Sequence, residues 1–207
     1  MFNLTKEELA ELKKLSTPIK IQDFLDTFPR NLEKKGETYM SPRRVLRERK
    51  MHCMEGALLA ALALWLQGEE PLLLDLKAPK DDDHIIALYK RNGYWGAISK
   101  SNHIPLRFRD PIYKTVRELV LSYFHEYINY ETGEKTLRKY SRPLNLKRLG
   151  MTWITAEEDL FDIAIALDEL PHTPIIPPEN IRLIRRPDKM EERAGEILEW
   201  KSSNPRT

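Results

Sequence analysis

Cys53 is the only cysteine among 207 residues, and it opens the segment HCMEGALLAALALWLQG just after the basic residues Arg43, Arg44, Arg47, Arg49 and Lys50. A thiol attacks a carbonyl carbon as the thiolate, and helix N-termini and nearby cations are common devices for stabilising that anion. His84 follows in DDDHIIALYKR, a stretch with strand character. A cysteine and a histidine brought together could perform acyl transfer, the thiolate attacking while the imidazole moves the proton. Each also has a plainer use, Cys53 as a small buried apolar side chain and His84 as a satisfied strand residue. His52 adjoins Cys53, but neighbours on a helix point in different directions, so His84 is the expected base.

Other polar groups read more simply. Asp81, Asp82 and Asp83 are possible metal ligands, yet consecutive strand residues alternate faces and no cluster with ligand spacing accompanies them. No metal and no cofactor is therefore expected, and the aspartates read as a solvated loop, with Asp83 able to raise the pKa of His84. The basic stretch reads as a solvated helix face. Its functional alternative is a positive rim that lowers the Cys53 pKa or attracts an acidic substrate.

The elements that must position these residues can be traced. Residues 53–67 are apolar nearly all round, which predicts a central buried helix. Gly56 and the alanines at 57, 60, 61 and 63 keep it thin, and Gly68 and Pro71 end it. Leu72 to Leu76 reads as a buried strand. HIIALYKR and YWGAIS flank Asn92-Gly93, the signature of a two-residue hairpin. Arg91 then faces Tyr94, and the same register sets His84 opposite Ser101 and Ile86 opposite Ser99. Alternation places His84 on one face with Trp95, Ala97, Ser99 and Ser101. Opposite Cβ atoms lie roughly 5 Å apart and diagonal ones roughly 7 Å, so Ser99 and Ser101 should touch the imidazole. Asn102 points away unless a bulge shifts the register.

The stretches CMEGALLAALALWLQGEEPLLLDL, DDDHIIAL and GYWGAIS, within residues 50–102, occur in a suggestive order. A cysteine begins an Ala-rich helix, a break and a strand follow, and then come a strand-borne histidine and a Gly-aromatic-Trp strand. This resembles the transglutaminase-like superfamily, whose core is built like that of papain-type cysteine peptidases. The resemblance implies an α+β fold with a central buried helix packed on an antiparallel sheet, plus extra helices. It implies Cys53 as nucleophile and His84 as general base. The family typically carries an aspartate four residues after the strand tryptophan, where this chain has Ser99. Either Asn102 takes that role through a bulge, as an amide does in papain-like enzymes, or the site is weakened. The implied activity is that of a cysteine peptidase, amidase or transglutaminase-like acyltransferase acting on a peptide, amide or protein. The alternative is a catalytically inactive binding or scaffold module of the same fold.

Whole-chain properties narrow the classes further. The 34 basic residues nearly cancel the 32 acidic ones, leaving a formal charge of +2. That balance argues against a nucleic-acid partner. One cysteine forms no internal disulfide, the N-terminus lacks an apolar signal region, and Ala57 to Leu66 is too short to span a membrane. A cytoplasmic protein with no membrane partner is expected. Two units are expected: residues 1–150 as the main domain with N-terminal helices, and 151–207 as an extension packed on it. Thr5 with Glu8 and Thr155 with Glu158 read as capping boxes, the second opening a helix to about Leu170. Residues 114–128 read as one amphipathic helix, PHTPIIPP as an extended linker, and EERAGEILEW as a last helix.

Overall fold

The computed structural model describes residues 2–34, 36–195, 197 and 198. Four helices come first: α1 (Lys6–Lys13), α2 (Pro18–Asp26), α3 (Pro42–Glu48) and α4 (Cys53–Leu66). Then come β1 (Leu72–Lys77), β2 (His84–Arg91), β3 (Tyr94–Ile98), β4 (Arg109–Tyr113) and α5 (Val116–Leu121). A two-stranded ribbon of β5 (Ile128–Asn129) and β6 (Glu134–Lys135) precedes β7 (Lys139–Ser141) and β8 (Leu144–Asn145). The chain closes with α6 (Phe161–Asp168), β9 (His172–Pro174) and α7 (Lys189–Gly195). The fold is α+β, with a seven-stranded antiparallel sheet in the order β4-β3-β2-β1-β7-β9 and β8 also pairing β1.

Both faces of the sheet are covered, which is why β1 and β2 are nearly continuous apolar runs. Leu73, Ala87, Tyr89 and Ile98 pack with α4 and the other N-terminal helices. Leu74, Leu76, Ile86, Leu88 and Ala97 form a second core with Leu119, Val120 and Tyr123. Along the hairpin, Arg91 faces Tyr94 and Ala87 faces Ile98, the register that Asn92-Gly93 predicts. Pro111 sits in β4 at the sheet's edge, where a missing N–H does least harm.

Helix starts follow the cap chemistry. Thr5 and Glu8 form the expected capping box, and Pro18 and Pro42 occupy the first turns of α2 and α3 behind Thr17 and Ser41. The basic stretch on and after α3 is consumed in ion pairs. Arg43 meets Glu8 and Arg44 meets Asp159, each at 2.8 Å, while Arg49 meets Glu11 at 2.6 Å and Arg47 meets Glu157 at 2.8 Å. These pairs tie α3 to α1 and to the segment before α6.

Four local expectations are corrected. The amphipathic stretch 114–128 is helical only over α5, because the Ser122 hydroxyl donates to Leu119 O and accepts from Arg109 Nε, and turns follow. Thr155 is not the N-cap of an α-helix but follows the short 3-10 turn Thr152–Ile154. Asp159 instead accepts from Tyr39 N and Arg44, and α6 begins at Phe161 without a side-chain cap. PHTPIIPP is no linker, since its first residues form β9 against β7. The last helix is α7, shifted toward the N-terminus of EERAGEILEW, and residues 196, 199 and 200 of that segment lie outside the described residues. Beyond residue 150 the chain supplies Trp153, Ile154, Ile163 and Leu167 to the core around α4. No helix among the described residues is long and apolar enough to cross a membrane.

Candidate active site

Cys53 is the first residue of α4 and half-buried. The N–H groups of a helix's first turn have no acceptor within the helix, so this end is electropositive. His52 is the N-cap. Its Nδ1 accepts the Met54 N–H at 3.3 Å, and its Nε2 lies 2.6 Å from Thr38 O. A carbonyl only accepts, so Nε2 carries a proton. Glu55 completes the cap, taking the His52 N–H at 2.9 Å. The Glu55 carboxylate is fully buried and also accepts from Asn31 Nδ2, Thr38 Oγ1 and Met40 N. Glu55 thus fastens the loop before α3 onto the start of α4.

His84 is the first residue of β2 and buried. Its Nε2 lies 3.1 Å from Ser99 Oγ and 3.2 Å from Leu106 O, while the Ser99 hydroxyl donates to Leu106 O at 2.8 Å. The serine proton is therefore spent on the carbonyl, and Nε2–H donates to both oxygens. Nδ1 is left as the nitrogen able to accept a proton. Ser99 is held in turn by Gln22, whose amide donates to Ser99 O at 2.9 Å and accepts from Ser99 N at 3.2 Å. Asn102 lines the same cleft, but the acceptors facing Nε2 are Ser99 and Leu106. Ser101, opposite His84 in the register the sequence predicts, instead accepts the His103 N–H on its hydroxyl oxygen.

Cys53, His52 and His84 line one cleft. Burial pushes the Cys53 thiol up, but hydrogen bonds from His52 and His84, together with their charges, outweigh it and bring the thiol well below its ordinary range. Burial likewise pushes His52 down, and the hydrogen bond and charge of Cys53, then the charge of Glu55, raise it to about 9. A proton on Nδ1 displaces the Met54 N–H, so the long 3.3 Å cap bond is the one given up when His52 faces a thiolate. Arg43, Arg44, Arg47, Arg49 and Lys50 do not line the cleft, so they do not form the alternative positive rim, and the two imidazoles supply positive charge beside the thiol.

Asp83 uses its side chain for structure, accepting from Ala78 N at 2.9 Å and pairing with Lys77 at 2.7 Å. Its main-chain oxygen lies 4.0 Å from the Cys53 sulfur. Asp75, Asp83 and Asp168 bring carboxylate oxygens close enough for one cation, and the Lys77 ammonium stands among them. Sequence reasoning passed over His52, Gln22 and Leu106. Glu55 three residues after His52 was the one available signal, because it marks position 52 as a cap outside the helix, where the helical-neighbour argument does not apply. Gln22 and Leu106 reach the site only through the tertiary fold. Neither a protein-family model nor a curated protein matches this chain.

Proposed function

We propose that this protein is a thiol-dependent acyl-transfer enzyme of transglutaminase-like type, with Cys53 as nucleophile and His84 as the mobile general base and acid. The observation that carries the reading is the state of His84: its Nε2–H is tied down by Ser99 and Leu106, leaving Nδ1 to exchange a proton beside a thiol whose pKa is depressed. The Cys53 thiolate adds to an amide carbonyl, and the oxyanion forms next to the Cys53 N–H at the helix start. Imidazolium His84 protonates the leaving nitrogen, the C–N bond breaks, and a thioester remains on Cys53. Water or an amine then attacks the thioester, giving its proton to His84 as the thiolate departs. His52 stays charged at neutral pH and stabilises the thiolate electrostatically. Ser99 orients His84 where the family's carboxylate would, and two neutral oxygens stabilise the imidazolium less than a carboxylate does.

The test is a pH profile of Cys53 alkylation by iodoacetamide, combined with mass-spectrometric trapping of an acyl-enzyme from activated peptide esters. A plateau extending well below pH 8, and acylation that is lost in Cys53→Ala and His84→Ala, are expected. An inflection near 8.5, the ordinary thiol value, with no acyl-enzyme formed, would instead leave a binding module that retains the cleft.

A further inference from the structure

Cys53 stands where two clefts meet. One, of about 200 Å³, contains Cys53 and His84. The other, of about 530 Å³, continues past Cys53 and His52 between α6 and the ends of β1 and β2, and His84 does not line it. In the proposed reaction His84 must protonate the leaving nitrogen, so the leaving group occupies the first cleft. The acyl portion of the substrate then lies in the second.

The second cleft has a definite chemistry. Tyr39, Phe161 and Ile165 form an apolar wall, with Phe161 and Ile165 exposed by 44% and 56%. Glu33, Glu37, Asp75, Asp82, Asp83 and Asp168 also line it, against three cationic groups among the described residues, Arg30, Lys77 and the charged His52. Asp75 is only 2% exposed. One of its oxygens meets His172 Nε2 at 3.0 Å, while Oδ1 has no hydrogen-bond partner among the described residues. Burial raises the Asp75 pKa, so a cation brought into the cleft beside it is favoured because it stabilises the ionised form. The Lys77 ammonium already lies against Asp83 and Asp168 and 3.9 Å from Asp75. The carboxylates therefore accept an alkylammonium, and one such charge does not balance them. A multivalent metal ion would have to displace Lys77.

We infer that this cleft is a subsite for a lysine or arginine side chain of a peptide, on the acyl side of the bond that Cys53 attacks. The apolar wall takes the methylene stem and the carboxylates take the charged head. The inference rests on the proposed acyl-transfer reading.

Peptidyl chloromethyl ketones test it without a known substrate, since the thiolate displaces chloride and the adduct is weighed directly. Compounds carrying lysine, arginine, norleucine or glutamate, at either of the two positions before the reactive group, are compared on the full chain, with iodoacetamide as a neutral reference. At low salt the basic compounds should label Cys53 on the order of tenfold faster than norleucine, and glutamate should be slowest. High salt and the double variant Glu37→Gln, Asp168→Asn should both shrink the ratio towards one, each rate being divided by the iodoacetamide rate of the same protein. Equal rates for all four side chains in the wild type, or an undiminished preference in the variant, would overturn the subsite. So would loss of the preference on adding millimolar Ca²⁺ but not NaCl of equal ionic strength, which would mark the carboxylates as a metal site. Slow iodoacetamide labelling with an ordinary pH profile would instead sink the acyl-transfer reading beneath it.

Discussion

Two imidazoles beside one thiol divide the electrostatics from the proton movement. His52 has a folded pKa of about 9 against an ordinary 6.5, so its stabilising charge is fully present below pH 6.5 and fades as pH rises towards 9. Cys53 runs the other way. Its depressed pKa stabilises the fold above the ordinary thiol value, and that contribution is lost as pH falls through the folded value. Their slopes oppose one another wherever both groups differ from their ordinary values, so the pair's net effect on stability varies less with pH than that of either group alone. Cys53→Ala removes the largest influence raising His52, and its imidazole titration followed by NMR should drop by about one unit or more. Ser99→Ala keeps the Leu106 acceptor but frees the ring to turn. Acylation of Cys53 should slow on the order of tenfold, while saturation by the acylating ester is unchanged. A loss confined to saturation would mean that Ser99 contacts substrate instead of orienting His84.

At the scale of elements, the site depends on how closely α4 can approach the irregular segment that follows β3. A Cβ built on Gly56 would lie 2.6 Å from the Lys100 Cβ and 3.2 Å from the Met51 sulfur. Neither a Cβ nor the helix can withdraw cheaply, so Gly56→Ala should destabilise by about 1–3 kcal/mol, measured by urea unfolding. It should also slow Cys53 alkylation, because the helix start moves relative to His84. Glu55 does the corresponding work at the helix N-terminus. Glu55→Gln sets an amide NH₂ among donors and should cost about 1–3 kcal/mol. Hydrogen exchange should show loosened protection around Asn31, Thr38 and Met40, which Glu55 ties down. The helix α4, the strands β1 to β3 and the hairpin turn were all legible, because apolar run length, Asn92-Gly93 and helix-ending residues are local signals. The strand β9 was not, since HTPIIPP has no strand pattern of its own and pairs only because β7 offers it an edge. The short extent of α5 was hidden for a similar reason, as it is set by a contact with Arg109 from β4.

At the scale of the molecule, the C-terminal third belongs to the same core as α4. Trp153 is 2% exposed, stacks on Trp65 at 6.4 Å between centroids, and packs with Ile154, Ile163 and Leu167. A chain ended at residue 150 should therefore show no cooperative thermal transition. Trp153→Ala in the full chain should cost about 3–5 kcal/mol. A cooperative transition in the shortened chain would mean that residues 1–150 fold alone. What the sequence by itself determined was the central helix, the hairpin and its register, and hence that Ser99 shares a face with His84. Each follows from neighbours in the chain through 3.6- and 2-residue periodicity. Only the tertiary structure decided that His52 as well as His84 meets the thiol, that Gln22 and Leu106 hold the Ser99–His84 pair, and that six carboxylates flank the cleft beyond Cys53. Those groups come from segments far apart in sequence. Their effect on a proton or a charge depends on distances of a few ångströms and on shared burial, which no local pattern encodes.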